Sequence, residues 1–122
     1  MKIKLLEPHF TICKVPEMGA VDWNAPFCFA ASTDEECSVV CPEEYAPQNA
    51  LIRDDGWRAM RIEGVLDFSL VGILAKIAGL LAERQIPIFA VSTYNTDYLL
   101  IKEEKLSAAL DALREGGYET EQ

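Results

Sequence analysis

A handful of side chains in the second half of the chain have the types needed to hold a small zwitterion. Gly72 falls near the start of an apolar periodic stretch, where a helix would expose unpaired backbone N–H groups and the positive end of its dipole, both suited to a carboxylate. The missing side chain of Gly72 would let a ligand approach that backbone. Some twenty residues on, Thr93 and Asn95 offer hydrogen bonds, and Tyr94 offers an aromatic wall with a cation–π face. Asp97 offers a negative charge to an ammonium or guanidinium group. An anion site at one end and a cation site at the other describe an amino acid. Ser69 stands just ahead of the periodic stretch and reads as its N-cap, with ligand contact as the competing role. Each feature also has a purely structural reading: Gly72 for close packing, Asp97 for ending a turn, Tyr94 as an exposed turn residue.

Catalytic arrangements are harder to assemble. The chain has a single histidine, His9, too little for a Ser-His-Asp or Cys-His site. No glycine-rich phosphate loop is present, and no pattern pairs two carboxylates in a pocket. The four cysteines, Cys13, Cys28, Cys37 and Cys41, read as buried, inert thiols. No metal, cofactor or enzymatic activity is therefore expected. The formal net charge of -9 disfavours nucleic acid as a partner. Leu70 to Ala82 is too short and too interrupted to span a membrane, and no secretory signal precedes Glu7-Pro8-His9, so a cytoplasmic protein is expected.

The elements that must position these residues follow from periodicity. Trp57 to Glu63 reads as a strand. Leu70, Ile73, Leu74, Ile77 and Leu81 form one helical face opened by Ser69. Ile86 to Thr93 reads as a strand with little polar relief, expected to be buried on both faces. Tyr94 to Thr96 makes a turn, and Asp97 to Lys102 the partner strand of a hairpin. Glu103 opens a second helix with Leu106, Ala109, Leu110 and Leu113 inward, stopped by Gly116 and Gly117; Tyr118 to Thr120 is a short last strand. The order is β-α-β-β-α-β, the ferredoxin-like split unit of an α+β fold. The first half is less regular. Phe10 to Val15, Phe27 to Thr33 and Cys37 to Cys41 read as strands, Tyr45 to Ile52 as a short helix weakened by Pro47. Trp23 and Trp57 are expected to pack.

The halves echo each other. Phe29-Ala30-Ala31-Ser32-Thr33 lies beside Phe89-Ala90-Val91-Ser92-Thr93, Cys37 to Cys41 then falls on Asp97 to Ile101, and Glu43-Glu44 on Glu103-Glu104. The reading is a tandem duplication, with residues 1–56 a copy that has lost most of its first helix and residues 57–122 a fuller copy.

The segment from Gly64 to Leu106, GVLDFSLVGILAKIAGLLAERQIPIFAVSTYNTDYLLIKEEKL, resembles the ACT domain of the CASTOR type, a family of amino-acid-binding regulatory domains. The resemblance implies ligand contacts from Gly72 with its neighbours Val71 and Ile73, and from Thr93, Tyr94 and Asp97. It implies a non-catalytic amino-acid sensor, expected as a homodimer, with one site per chain because Cys37 replaces the acidic residue in the first copy. The competing reading is a protein-interaction or dimerisation module with a vestigial pocket, since the edge strands of this fold invite pairing.

Overall fold

A computed structural model of the chain describes residues 2–63 and 72–122. The elements, in order, are strands β1 (Lys2–Val15), β2 (Phe29–Ser32), β3 (Cys37–Pro42) and β4 (Ile52–Glu63), helix α1 (Ile73–Glu83), strands β5 (Phe89–Ser92) and β6 (Asp97–Lys102), helix α2 (Leu106–Glu115) and strand β7 (Glu119–Glu121). The chain divides into two compact units, one of Met1–Glu7 with Arg58–Gln122 and the other of Pro8–Trp57, so β1 and β4 each contribute residues to both.

In the larger unit, β4 neighbours β1 and β6, β5 pairs antiparallel with β6, and β7 pairs parallel with β1 through Lys2↔Glu119 to Lys4↔Glu121. From β4 onward the order is β-α-β-β-α-β, as the periodicity implied, although the last strand joins β1. The helical side of the core comes from residues that periodicity singled out. Ile77 and Leu81 of α1 and Ala109, Leu110 and Leu113 of α2 pack with Met60, Ile62, Leu99 and Ile101 from the sheet, together with Ile3 and Leu5. Burying each of the larger apolar side chains contributes about 1.5–3 kcal/mol. Gly116 allows the two helices to meet, since a Cβ there would lie 2.5 Å from Cδ1 of Leu80. Arg84 and Glu115 add an ion pair, and Lys76 lies over the Tyr118 ring, 5.6 Å from its centroid.

Both helices end in the same way. After α1, Ile86 N–H donates to the Leu81 carbonyl and Gln85 takes a left-handed φ of 58°; after α2, Tyr118 N–H donates to the Leu113 carbonyl and Gly117 has φ 95°. These are Schellman closures, which satisfy orphan carbonyls and fold an apolar residue, Ile86 or Tyr118, back on the helix.

In the smaller unit β2 pairs antiparallel with β3, β3 with β1, and β1 neighbours β4. Its core gathers Cys13, Val15, Val21, Val39 and Cys41.

Several expectations need correction. The helix expected from Ser69 begins at Ile73, with Gly72 as its N-cap at φ 84°; Ser69 and Val71 themselves lie outside the described residues. The strand expected over 86–93 is only Phe89–Ser92, because Ile86 is used to close α1. It is also not buried on both faces: Phe89, Ala90 and Ser92 are exposed, since among the described residues β5 pairs with β6 alone and forms an edge. The helix expected from Glu103 starts with a 3₁₀ turn over Glu103–Lys105. In the first half, β1 begins at Lys2 rather than Phe10 and continues through Pro8, and β4 starts at Ile52, not Trp57. The helix expected over 45–52 is absent; a 3₁₀ turn at Glu43–Tyr45 precedes it and Ile52 is already strand. Trp23, expected to pack, is 64% exposed.

Candidate ligand-binding site

The β5–β6 hairpin assembles four of the candidate residues. Its ladder runs from Phe89↔Leu100 to Ser92↔Asp97, leaving residues 93–96 as the turn. Thr93 closes that turn with its backbone and its side chain. Its N–H donates to the Thr96 carbonyl at 2.9 Å, its hydroxyl donates to the same carbonyl at 3.0 Å, and Oγ1 accepts the Thr96 N–H at 3.4 Å. The Thr93 hydroxyl thus serves the turn geometry. Tyr94 is 84% exposed at the tip, and Asn95 beside it is exposed too. The Ser92 hydroxyl donates to Oδ1 of Asp97 at 2.5 Å.

Strand alternation sets the direction of Asp97. Leu99 and Ile101 point into the helix-covered core, so Asp97, two residues before Leu99, lies on that same face at the strand's start. The turn is fastened to β4 by Thr96, whose hydroxyl donates to the Ile62 carbonyl at 2.7 Å. The end of β4, the end of β5 and the start of β6 therefore share one end of the unit. Helix α1 has eleven residues, about 16 Å long. It finishes shortly before Phe89, at the opposite end of β5, and packs Ile77 and Leu81 along the sheet. Its start at Gly72 and Ile73 consequently lies at the same end as the turn. There Gly72 is exposed with φ 84°, its carbonyl accepts the Lys76 N–H at 2.9 Å, and the first-turn N–H groups have no partner within the helix. The Ile73 side chain packs against the core, so the backbone is what it can present to a ligand.

Two residues that sequence reasoning passed over, Ser92 and Thr96, hold this arrangement together. Ser92 was visible only as part of the repeated Ser-Thr motif; Thr96 carried no signal beyond its place in a turn. A nearby group, Arg61 with Glu63 at 3.2 Å and with Tyr98, lies on the opposite face, because Arg61 and Glu63 flank the core residue Ile62. The Tyr98 hydroxyl foremost, then Glu63, raises the Arg61 guanidinium pKa against the opposing effect of burial.

The first hairpin reproduces the second with every position sixty residues earlier: Phe29↔Val40 to Ser32↔Cys37 against Phe89↔Leu100 to Ser92↔Asp97. Thr33 N–H donates to the Glu36 carbonyl at 2.9 Å, matching Thr93 and Thr96, and the 3₁₀ turn at Glu43–Tyr45 matches that at Glu103–Lys105. In place of Asp97 stands Cys37, whose sulfur lies 3.8 Å from the Ser32 hydroxyl.

All four cysteines are free thiols within or against the smaller unit's core. Burial foremost, with Cys13 and Cys28 nearby, pushes the Cys41 thiol up to about 12, and burial followed by Asp22 raises Cys28. Such surroundings oppose the thiolate that a nucleophile or metal ligand requires. Among the described residues no group of three or more His, Cys, Asp and Glu side chains is placed to hold a metal ion, and no helix is long and apolar enough to cross a membrane.

The family model of the ACT domain matches residues 52–115, more than half of the chain. The chain belongs to the ACT domain family. Among its relatives are the cytosolic arginine sensor for mTORC1 subunit 1 of Rattus norvegicus, 41% identical over 59 residues, and its Homo sapiens counterpart, 39% identical over the same length; each alignment takes in 48% of this chain and 18% of the relative. This chain thus spans less than a fifth of those proteins. A solved structure of a protein from Agobacterium tumefaciens is 30% identical with TM-score 0.86, covering 98% of this chain and 90% of that one. The regulatory subunit of aspartate kinase from Thermus thermophilus, 14% identical with TM-score 0.67, covers 96% of this chain and 98% of that one and shares the fold.

Proposed function

We propose that this chain is a non-catalytic regulatory module that binds a free amino acid at the end of the larger unit where α1 begins. The ligand carboxylate sits on the N–H groups at Gly72 and Ile73, and its cationic group sits on Asp97, with Tyr94 and Asn95 at the rim. The observation that carries this reading is the placement of Asp97. It starts β6 on the helix-covered face, at the same end as the open first turn of α1. The family model covers residues 52–115, which include these positions, and the relatives include arginine sensors, which favours a cationic amino acid.

The test is calorimetry and thermal shift against the twenty common amino acids. Ligand at a hundred times its dissociation constant adds about 2.7 kcal/mol of stability, a readable shift. Asp97→Asn should abolish binding of arginine and lysine. A silent panel, or an Asp97→Asn protein that binds as tightly as wild type, would remove the reading.

The matched hairpins support a tandem duplication, residues 1–56 and 57–122, with the ligand site in the second copy alone because Cys37 supplies no charge. The module is proposed to work in the cytoplasm as a homodimer. A second reading, an interaction module with an idle pocket, draws on β5, an exposed edge strand with Phe89 36% accessible. A stable dimer by sedimentation combined with no response to any amino acid would favour it.

A further inference from the structure

The hydroxyl of Ser92 donates to Oδ1 of Asp97 at 2.5 Å, and the two residues are direct cross-strand partners. We propose that Ser92 is the positioning residue of the site: it holds one oxygen of the Asp97 carboxylate and leaves the other for the ligand's cation. This rests on the amino-acid site described above and adds to it a residue that touches Asp97 rather than the ligand.

Register does not explain the bond. The first hairpin keeps the same pairing, Ser32↔Cys37, with only a long hydroxyl–sulfur contact of 3.8 Å in its place. A serine at this position is therefore compatible with the hairpin whether or not it bonds strongly. The strong bond arises only where the partner is a carboxylate, as expected for a charge-assisted pair. Nor is it a stability device, because Ser92 is exposed on an edge strand and such bonds contribute modestly. What it supplies is order. A partly exposed aspartate samples several rotamers, and a cationic ligand would have to select one; a carboxylate already held by a neighbouring hydroxyl avoids that loss. A carboxylate has acceptor sites enough to serve Ser92 and a cation together.

The experiment uses L-arginine as the calorimetric probe on wild type, Ser92→Ala, Ser92→Thr and Asp97→Ala. Three-bond couplings report the χ1 rotamer of Asp97 in the ligand-free proteins. Ser92→Ala should weaken arginine binding about tenfold, and Ser92→Thr, which keeps the hydroxyl, should remain within about threefold of wild type. The thermal midpoint should stay where it is in both, and the Asp97 couplings should average in Ser92→Ala alone. Wild-type affinity in Ser92→Ala while Asp97→Ala has lost binding would overturn the positioning role and leave the site intact. Absence of heat from wild type would remove the site reading instead. The couplings then decide for Ser92, and an unaltered Asp97 rotamer in Ser92→Ala overturns its role.

Discussion

Thr96 ties the β5–β6 turn to the end of β4 by donating its hydroxyl to the Ile62 carbonyl, 2.7 Å away. This tether adds to the β4–β6 pairing in fixing where Asp97 stands relative to the strand that leads toward α1. Thr96→Val keeps the branched shape and removes the donor. The expected loss is about 1 kcal/mol of unfolding free energy, read from urea denaturation. Amide exchange at Thr96 and Asp97 should quicken by more than that global loss accounts for, because the turn frays locally. Unchanged exchange in the turn would show that the Thr93 closure holds it unaided.

The helix ends make a second, opposed pair of expectations. Gln85 holds a left-handed φ of 58° where glycine is at ease, and Gly117 holds φ 95° at the matching place after α2. Gln85→Gly should stabilise the fold by about 0.5–1 kcal/mol, the strain relieved less the entropy glycine adds to the unfolded chain. Gly117→Ala should destabilise by about 1 kcal/mol. Urea midpoints moving in the same direction for both variants would contradict this account of the two closures.

Legibility in the sequence followed burial. The apolar faces of both helices and the β5–β6 hairpin were readable because Ile77, Leu81, Leu110 and Leu113 keep helical spacing and Leu99 and Ile101 keep strand spacing. The start of α1 was misplaced because Ser69 looks like a cap, whereas the observed N-cap is Gly72 and its left-handed backbone leaves no trace in composition. The edge position of β5 was equally invisible. IPIFAVST has the composition of a central strand, and only the order β4-β6-β5 exposes it. β1 was shortened because Lys2, Lys4, Glu7 and Pro8 interrupt its apolar pattern, while Ile3 and Leu5 still reach the larger unit's core. Of the proposed site, Gly72, Tyr94, Asn95 and Asp97 are picked out by residue type. Ser92 and Thr96 are not, since hydroxyls that serve a neighbouring residue look like any others.

Cys41 gives a prediction in pH. Burial pushes its thiol from the ordinary 9.0 up to about 12 in the folded chain. Between those values the unfolded chain has released a proton that the folded chain retains. Stability is therefore fully present below about 9 and falls as pH climbs toward 12. Cys41→Ala should flatten this alkaline slope, at some loss of stability at neutral pH from the smaller side chain. At pH 8 a thiol reagent should label the partly exposed Cys28 and Cys37 before Cys13 and Cys41, which are buried at 1–2% exposure. Early labelling of Cys41, read by peptide mass, would contradict this burial.

The first hairpin allows the proposed duplication to be tested on its own terms. If the two hairpins descend from one, their backbones should accept each other's side chains at matched positions, and Cys37 and Asp97 occupy the same place in the same ladder. Cys37→Asp puts a carboxylate opposite Ser32, whose hydroxyl lies 3.8 Å from the thiol sulfur. The expected result is a hydrogen bond from Ser32 to the new carboxylate, seen in a crystal structure of the variant, with stability within about 0.5 kcal/mol of wild type because the position is partly exposed. Arginine affinity at the second hairpin should not change, and no second binding event should appear, since among the described residues the smaller unit has no α-helix whose start could receive a carboxylate. A loss of several kcal/mol, or a carboxylate turned away from Ser32, would show that the two hairpins share a register without sharing a side-chain frame. The repeat would then be a consequence of strand pairing and not of ancestry.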